Sequence, residues 1–207
     1  HPWQLLILGG PTGCGKTEVL HQLQRMGQQV IDLEGLAHHK GSAFGSLGET
    51  AQPTTEQFTN QLHALMRTFN PARPVWCEGE SASIGKVVIP SAFYALMLSA
   101  PFLNLEIPYQ ERIRHILNDY GTFQPDELIL SFRKIEKRLG GEATRKAIEC
   151  VEQNNLESAV CIALSYYDKG YRRSSGKQWP NQIPCLWEDS DPAVIARKLL
   201  ALYENGC

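Results

Sequence analysis

The chain has 207 residues, 43% of them apolar, and a formal net charge of −2. That length suits one globular domain with a good core and room for a helical annex. No apolar run approaches the length needed to span a bilayer, and the near-neutral charge argues against a generally basic, nucleic-acid-coating protein.

The chain starts at His1, a first residue other than Met, with no leader-like segment ahead of the first strand, as expected of a processed, trimmed or excised segment. Leu5, Leu6, Ile7 and Leu8 form a short apolar run expected to be a buried strand. Residues 10–17, GPTGCGKT, then fit the phosphate-binding pattern G-x-x-x-x-G-K-[ST] without a mismatch, and residues 18–23 follow with helical spacing. A second strand is expected over 29–33, opening into a polar, Gly-rich stretch at 35–53 read as open and flexible. Thr54 and Gln57 resemble a capping box ahead of Phe58, Leu62, Leu65, Met66 and Phe69 at helical spacing. A third strand is expected over 74–77, ending in Glu78, Gly79 and Glu80. Pro90 can open the helix after the apolar patch Val87, Val88 and Ile89. A fourth strand is expected over 102–106 and an amphipathic helix over 109–120. From 125 to about 168 there is no strand signal, only about three helices broken near Gly140-Gly141 and Asn154-Asn155. Strand character returns at 183–187. Asp191 and Pro192 start a last helix that Asn205-Gly206 ends.

Strands alternating with helices imply an α/β fold: a phosphate-loop NTPase-like parallel sheet with helices on both faces. The stretch 121–180 is a helical annex within a single domain over 1–207. Ligands of such sheets bind at the carboxyl ends of the strands, so the loops 10–17, 32–48 and 78–85 should converge on one site.

The chemistry follows from the residue types. Gly10, Pro11, Thr12, Gly13, Cys14, Gly15, Lys16 and Thr17 would form a nest of N–H groups at a helix N-terminus, which attracts phosphate. Lys16 would reach the terminal phosphates and the Thr17 hydroxyl would hold Mg²⁺. A carboxylate at a neighbouring strand end should complete that ion: Asp32 and Glu34 on the second strand, or Glu78 and Glu80 on the third, with Glu78 the assigned ligand. Cys14 could carry a lowered pKa among the anion-binding N–H groups. His39, Lys40, Ser42 and Phe44, with Glu80 and Ser81, are candidate substrate contacts beside the loop. Between 133 and 146 six basic residues face two acidic ones, a local +4; Arg133, Lys137, Arg138 and Arg145 are candidate contacts there to nucleic-acid phosphates or to a substrate's diphosphate. Tyr171 and Arg172 join them, because bases stack on aromatic rings while arginine meets the backbone. The six cysteines (14, 77, 150, 161, 185 and 207) form no C-x-x-C pair and no metal-ligand spacing, which suggests a reduced, cytoplasmic setting.

The stretch Asp32-Leu33-Glu34-Gly35-Leu36-Ala37-His38-His39-Lys40-Gly41-Ser42-Ala43-Phe44-Gly45 resembles the signature that follows the phosphate loop in tRNA 2-selenouridine synthases. Glu80-Ser81, Ile84-Gly85, Pro90, Tyr166-Tyr167-Asp168 and Tyr171 are similar to further elements of that family. The resemblance implies a transferase that works on 2-thiouridine at the tRNA wobble position. Geranyl diphosphate would supply an S-geranyl intermediate and selenophosphate the selenium, with a rhodanese-like domain as partner. It also exposes a departure: the family usually places Arg after the Glu-Ser element, where Ala82 and Ser83 stand here. From the residues alone, a non-catalytic tRNA-binding module and an NTP-dependent small-molecule kinase remain open beside the transferase.

Overall fold

The computed structural model describes residues 3–179 and 182–204. Its centre is a five-stranded sheet whose bonded neighbours are all parallel. The strands are β1 (Leu5–Gly9), β2 (Gln29–Ile31), β3 (Val75–Glu78), β6 (Phe102–Glu106) and β7 (Gln182–Leu186), in the order β2-β3-β1-β6-β7. A two-stranded hairpin of β4 (Ser83–Ile84) and β5 (Val87–Val88) stands apart from it. The patch at 87–89 therefore makes half of a hairpin, with Gly85 at φ 58° in its turn.

Burial follows the two-residue period of a strand. Leu5 and Ile7 face one apolar layer, shared with Phe58 and Leu62 of α3 (Thr55–Met66) and with Phe93 and Met97 of α4 (Ser91–Ser99). Leu6 and Leu8 face the other, shared with Val19, Leu20 and Leu23 of α1 (Lys16–Arg25) and with Ile195 and Leu199 of α9 (Pro192–Glu204). A sheet buried on both faces needs near-continuous apolar strands, and β1 is buried at all five positions.

Local signals account for most helix starts. Thr54 Oγ1 accepts from Gln57 N–H and Gln57 Oε1 accepts from Thr54 N–H, the expected capping box. Asp191 Oδ1 accepts from the Ala193 N–H at 2.7 Å, with Pro192 in the first turn. The expected Asn205-Gly206 stop lies outside the described residues. Helix α5 (Tyr109–Tyr120) has the expected bounds.

One expectation fails at the second strand. β2 stops at Ile31, because Asp32 leaves the strand to cap a short helix, α2 (Leu33–Ala37), its Oδ1 accepting from Gly35 N–H at 2.7 Å. Nor is the Gly-rich stretch that follows open. Lys40 N–H donates to Gly45 C=O, Gly45 N–H donates to Ser42 C=O, and Phe44 and Leu47 are buried.

The annex consists of α6 (Pro125–Leu139), α7 (Gly141–Glu152) and α8 (Leu156–Gln178), with breaks where Gly140-Gly141 and Asn154-Asn155 stand. α8 runs ten residues beyond the expected end at 168. The annex has its own core, in which Leu128, Phe132, Ile135, Ala147, Val151 and Ala159 pack together. Phe44 and Leu47, from the Gly-rich stretch, belong to that core and pin the stretch to the annex.

Candidate functional site: a cavity with a polar and an apolar end

The phosphate loop joins the end of β1 to the start of α1. Gly10, Gly13 and Gly15 have positive φ (144°, 83° and 75°), the region that side chains rarely adopt. A Cβ on Gly10 would come within 2.4 Å of Leu105 C=O, and one on Gly13 within 2.9 Å of Arg112 C=O. Glycine is thus required by space as well as by dihedral angle. Gly15 caps α1 without a side-chain acceptor, so the first-turn N–H groups are available to an external anion.

Side chains from α5 hold the loop from behind. Arg112 Nε donates to Thr12 C=O at 2.9 Å, and His115 Nδ1 lies 3.1 Å from Gly13 C=O. The other two guanidinium nitrogens of Arg112 pair with both carboxylate oxygens of Asp168 on α8, at 3.1 and 2.5 Å. Arg112 is buried, so this fork ties annex, α5 and phosphate loop into one unit. Sequence reasoning missed Arg112; its spacing within α5 is that of any buried helix position.

Lys16 Nζ donates to Gly10 C=O at 3.0 Å. Burial alone would lower its pKa, but Cys14, Glu34, Glu80 and Tyr171 raise it above the usual lysine value, so Lys16 is a firm cation. Thr17 Oγ1 donates to Glu34 Oε2 at 3.3 Å. Glu34, rather than Glu78, is thus the carboxylate against Thr17. Burial pushes the Glu34 carboxyl up to about 8, with Glu80 adding to the rise and Lys16 opposing it. Glu78 lies behind: fully buried, its Oε1 accepting from Glu34 N–H at 2.6 Å, its Oε2 without a hydrogen-bond partner among the described residues. Burial, then Glu34, raises its pKa well above the carboxylate range. Glu80 is raised by burial, with Lys16 pulling the other way.

A hydroxyl and one or two carboxylates suit a hard cation such as Mg²⁺, which keeps few protein ligands and shares the substrate's phosphate oxygens. Among the described residues no group of three or more His, Cys, Asp or Glu is placed to hold a metal ion alone.

The expectation for Cys14 fails. Its thiol is fully buried, and burial raises its pKa despite Lys16 and Arg112. It is a packing residue under the loop. His39 does not line the cavity; its Nδ1 is buried without a partner among the described residues, and burial lowers its pKa, Lys134 adding to the drop. Lys40, Ser42 and Phe44 do line the cavity, as do Glu80 and Ser81. Lys40 Nζ sits 5.3 Å from the Tyr120 ring centroid. Phe44 meets Phe132 edge-on at 5.0 Å.

Tyr171 is not on an outer surface for nucleic acid. It lines the cavity, its hydroxyl donating to Asn104 Oδ1 at 2.6 Å, and burial pushes its pKa up to about 12. Arg172 is exposed on α8 and donates to Asp168 C=O. Arg133, Lys137 and Arg138 on α6 and Arg145 on α7 are all exposed, Arg145 lying 3.8 Å from Glu149.

These elements line one partly open cavity of about 910 Å³. One end is polar, formed by Gly10, Gly13, Gly15, Lys16 and Thr17 with Glu34 and Glu80. The other is apolar and belongs to the annex, where Leu128, Phe132, Val151, Leu156, Ala159 and Ala163 form its walls.

A family model described as the tRNA 2-selenouridine synthase AAA domain matches residues 3–191. The chain belongs to the tRNA 2-selenouridine synthase family. A tRNA 2-selenouridine synthase from Shewanella loihica is 35% identical, the match covering 84% of this chain and 54% of that protein. One from Hydrogenovibrio crunogenus is 37% identical over 72% of this chain and 44% of its own length. The chain thus spans about half the length of the curated relatives it matches. Among solved structures, a shikimate kinase from Acinetobacter baumannii in complex with shikimate is 16% identical, covering 98% of this chain and 94% of that one at a TM-score of 0.44. No helix among the described residues is long and apolar enough to cross a membrane.

Proposed function

We propose that this chain is the transferase domain that binds an allylic diphosphate and alkylates the sulfur of wobble 2-thiouridine in tRNA. The substrate is geranyl diphosphate. The observation that supports this most is the continuity of the cavity: a phosphate cradle and an apolar compartment line one continuous, partly open space. A nucleotide or a small polar acceptor has no use for the apolar end.

The residues would act as follows. Loop N–H groups and Lys16 hold the diphosphate and stabilise the charge that grows as the carbon–oxygen bond breaks. The thiocarbonyl sulfur forms the new bond to the allylic carbon, the electron pair of the broken bond leaves with diphosphate, and the base gives up its N3 proton. Thr17 and Glu34 would hold Mg²⁺, which neutralises phosphate-oxygen charge. Phe44 and the annex walls exclude water from the allylic carbon. The wobble base lies in a single-stranded loop and can be presented splayed out. The exposed Arg133, Lys137, Arg138 and Arg145 would meet the tRNA backbone. Exchange of sulfur for selenium from selenophosphate we assign to the complete enzyme with its rhodanese-like domain, in the cytoplasm.

The test is transfer of a labelled geranyl group to a 2-thiouridine anticodon stem-loop. Wild-type chain should transfer it and Lys16→Ala should not, with both folded by circular dichroism. Transfer retained in Lys16→Ala would sink the assignment. Turnover of ATP in place of geranyl transfer would make the domain a kinase, and salt-sensitive tRNA binding indifferent to Lys16 would make it a binding module.

A further inference from the structure

We infer that helix α8 is a ruler that sets the length of the chain the cavity accepts. The inference rests on the reading of the phosphate loop as the seat of a diphosphate head group, and it concerns what lies beyond that head.

α8 lines the cavity over most of its length. Among its lining residues, Tyr171, Tyr167, Ala163, Ala159 and Leu156 recur every three or four positions, so these five share one face of the helix. Tyr171 marks the phosphate end, through its bond to Asn104 beside the loop. At a rise of about 1.5 Å per residue, Tyr167 lies roughly 6 Å further along the axis, Ala163 roughly 12 Å, Ala159 roughly 18 Å and Leu156 roughly 22 Å.

Chemistry changes along that line. The first two positions offer hydroxyls, and the Tyr167 hydroxyl is already engaged, accepting from Ala43 N–H at 3.1 Å. Beyond Tyr167 only apolar side chains remain on this face. Phe44 and Phe132, both buried, form part of the same cavity lining, as does Val151 of α7. A ligand anchored at Lys16 and lying along α8 must therefore carry its polar atoms near Tyr171 and Tyr167 and be hydrocarbon from Ala163 onward. That describes a diphosphate ester of an extended apolar alcohol.

Both alanines line the cavity with a side chain of one methyl group, Ala163 half-buried and Ala159 buried at the edge of the annex core. A larger side chain at either would block the cavity at a different depth: Ala163 close to the head group, Ala159 about 6 Å deeper. Ala163 should thus limit shorter chains, while Ala159 limits only longer ones.

The experiment measures binding of inorganic pyrophosphate and of dimethylallyl, geranyl and farnesyl diphosphates to the 207-residue chain, to Ala163→Leu and to Ala159→Leu, by calorimetry with Mg²⁺. Ala163→Leu should weaken geranyl and farnesyl diphosphate about tenfold or more. Ala159→Leu should weaken farnesyl diphosphate by a similar factor and geranyl diphosphate much less. Neither should move pyrophosphate. If a leucine variant fails to fold, the valine variant at the same position should show the same order with a smaller effect. Equal losses for every chain length in both variants, or no loss in either, would overturn the ruler. A wild-type chain that binds geranyl diphosphate no better than pyrophosphate would overturn the underlying reading instead, so the two failures are distinct.

Discussion

The two ends of the cavity are built in opposite ways. At the phosphate end the donors come from one contiguous octapeptide, so the anion-binding chemistry is written locally. The apolar end draws Phe44 from the Gly-rich stretch and its other walls from three annex helices, far apart in sequence. A motif names the head group a site can hold. The packing of distant helices decides what may be attached to that head group.

The join between the ends should give the largest effect on stability. Arg112→Ala removes the buried half of the pair and leaves the part-buried Asp168 without its forked partner, and loss of about 3 kcal/mol is expected on chemical denaturation. Asp168→Ala should cost a comparable amount, and the double variant less than the sum, because no charge is then stranded. Additive losses would show that the pair does not couple annex to loop.

Next in size is the head-group anchor. Lys16→Ala removes a charge-assisted contact to phosphate and should weaken pyrophosphate binding by about 1.5–3 kcal/mol, or roughly 10- to 150-fold. A folded Lys16→Ala protein with unaltered affinity would break the comparison at its polar end.

The buried carboxyls predict a pH dependence. Burial raises Glu34 to about 8 and Glu78 well above the carboxylate range. The folded chain therefore keeps protons that the unfolded chain releases above about pH 4.3. Stability is full below that value and falls as the pH climbs toward 8, by up to about 1.4 kcal/mol per pH unit for each retained proton. Glu78→Gln should flatten the slope and raise the melting temperature at pH 8. A melting temperature that rises over the same interval would contradict the burial argument.

The smallest expected effect lies on the annex exterior. Arg133→Ala and Arg138→Ala should change stability by no more than about 0.5 kcal/mol, since both side chains are exposed. They should reduce the salt dependence of tRNA binding by about one unit of slope each, measured by filter binding over a salt series.

The same contrast explains what the sequence disclosed. The phosphate loop, the Thr54–Gln57 box and the bounds of α5 depend on residues a few positions apart, and each stands where expected. Glu34 could not be separated from Glu78 in that way. Which carboxylate meets Thr17 depends on Asp32 ending β2 early and turning the chain into α2. The sequence groups Tyr171 with the nucleic-acid contacts because a helix-end tyrosine beside arginines carries no sign of its facing. The extension of α8 past residue 168 and the bond to Asn104 turn it inward. Arg112 and the annex walls were silent for the same reason: their roles exist only once α5 and α8 pack together.

One ligand should occupy both ends of the cavity at once. The most direct test compares geranyl diphosphate, inorganic pyrophosphate and ATP on the 207-residue chain by calorimetry with Mg²⁺ at several temperatures. Geranyl diphosphate should bind more tightly than pyrophosphate, with a more negative heat-capacity change from burial of its chain, and ATP should not displace it. Equal affinity and equal heat capacity for the two diphosphates, with ATP the tighter ligand, would contradict occupation of both ends.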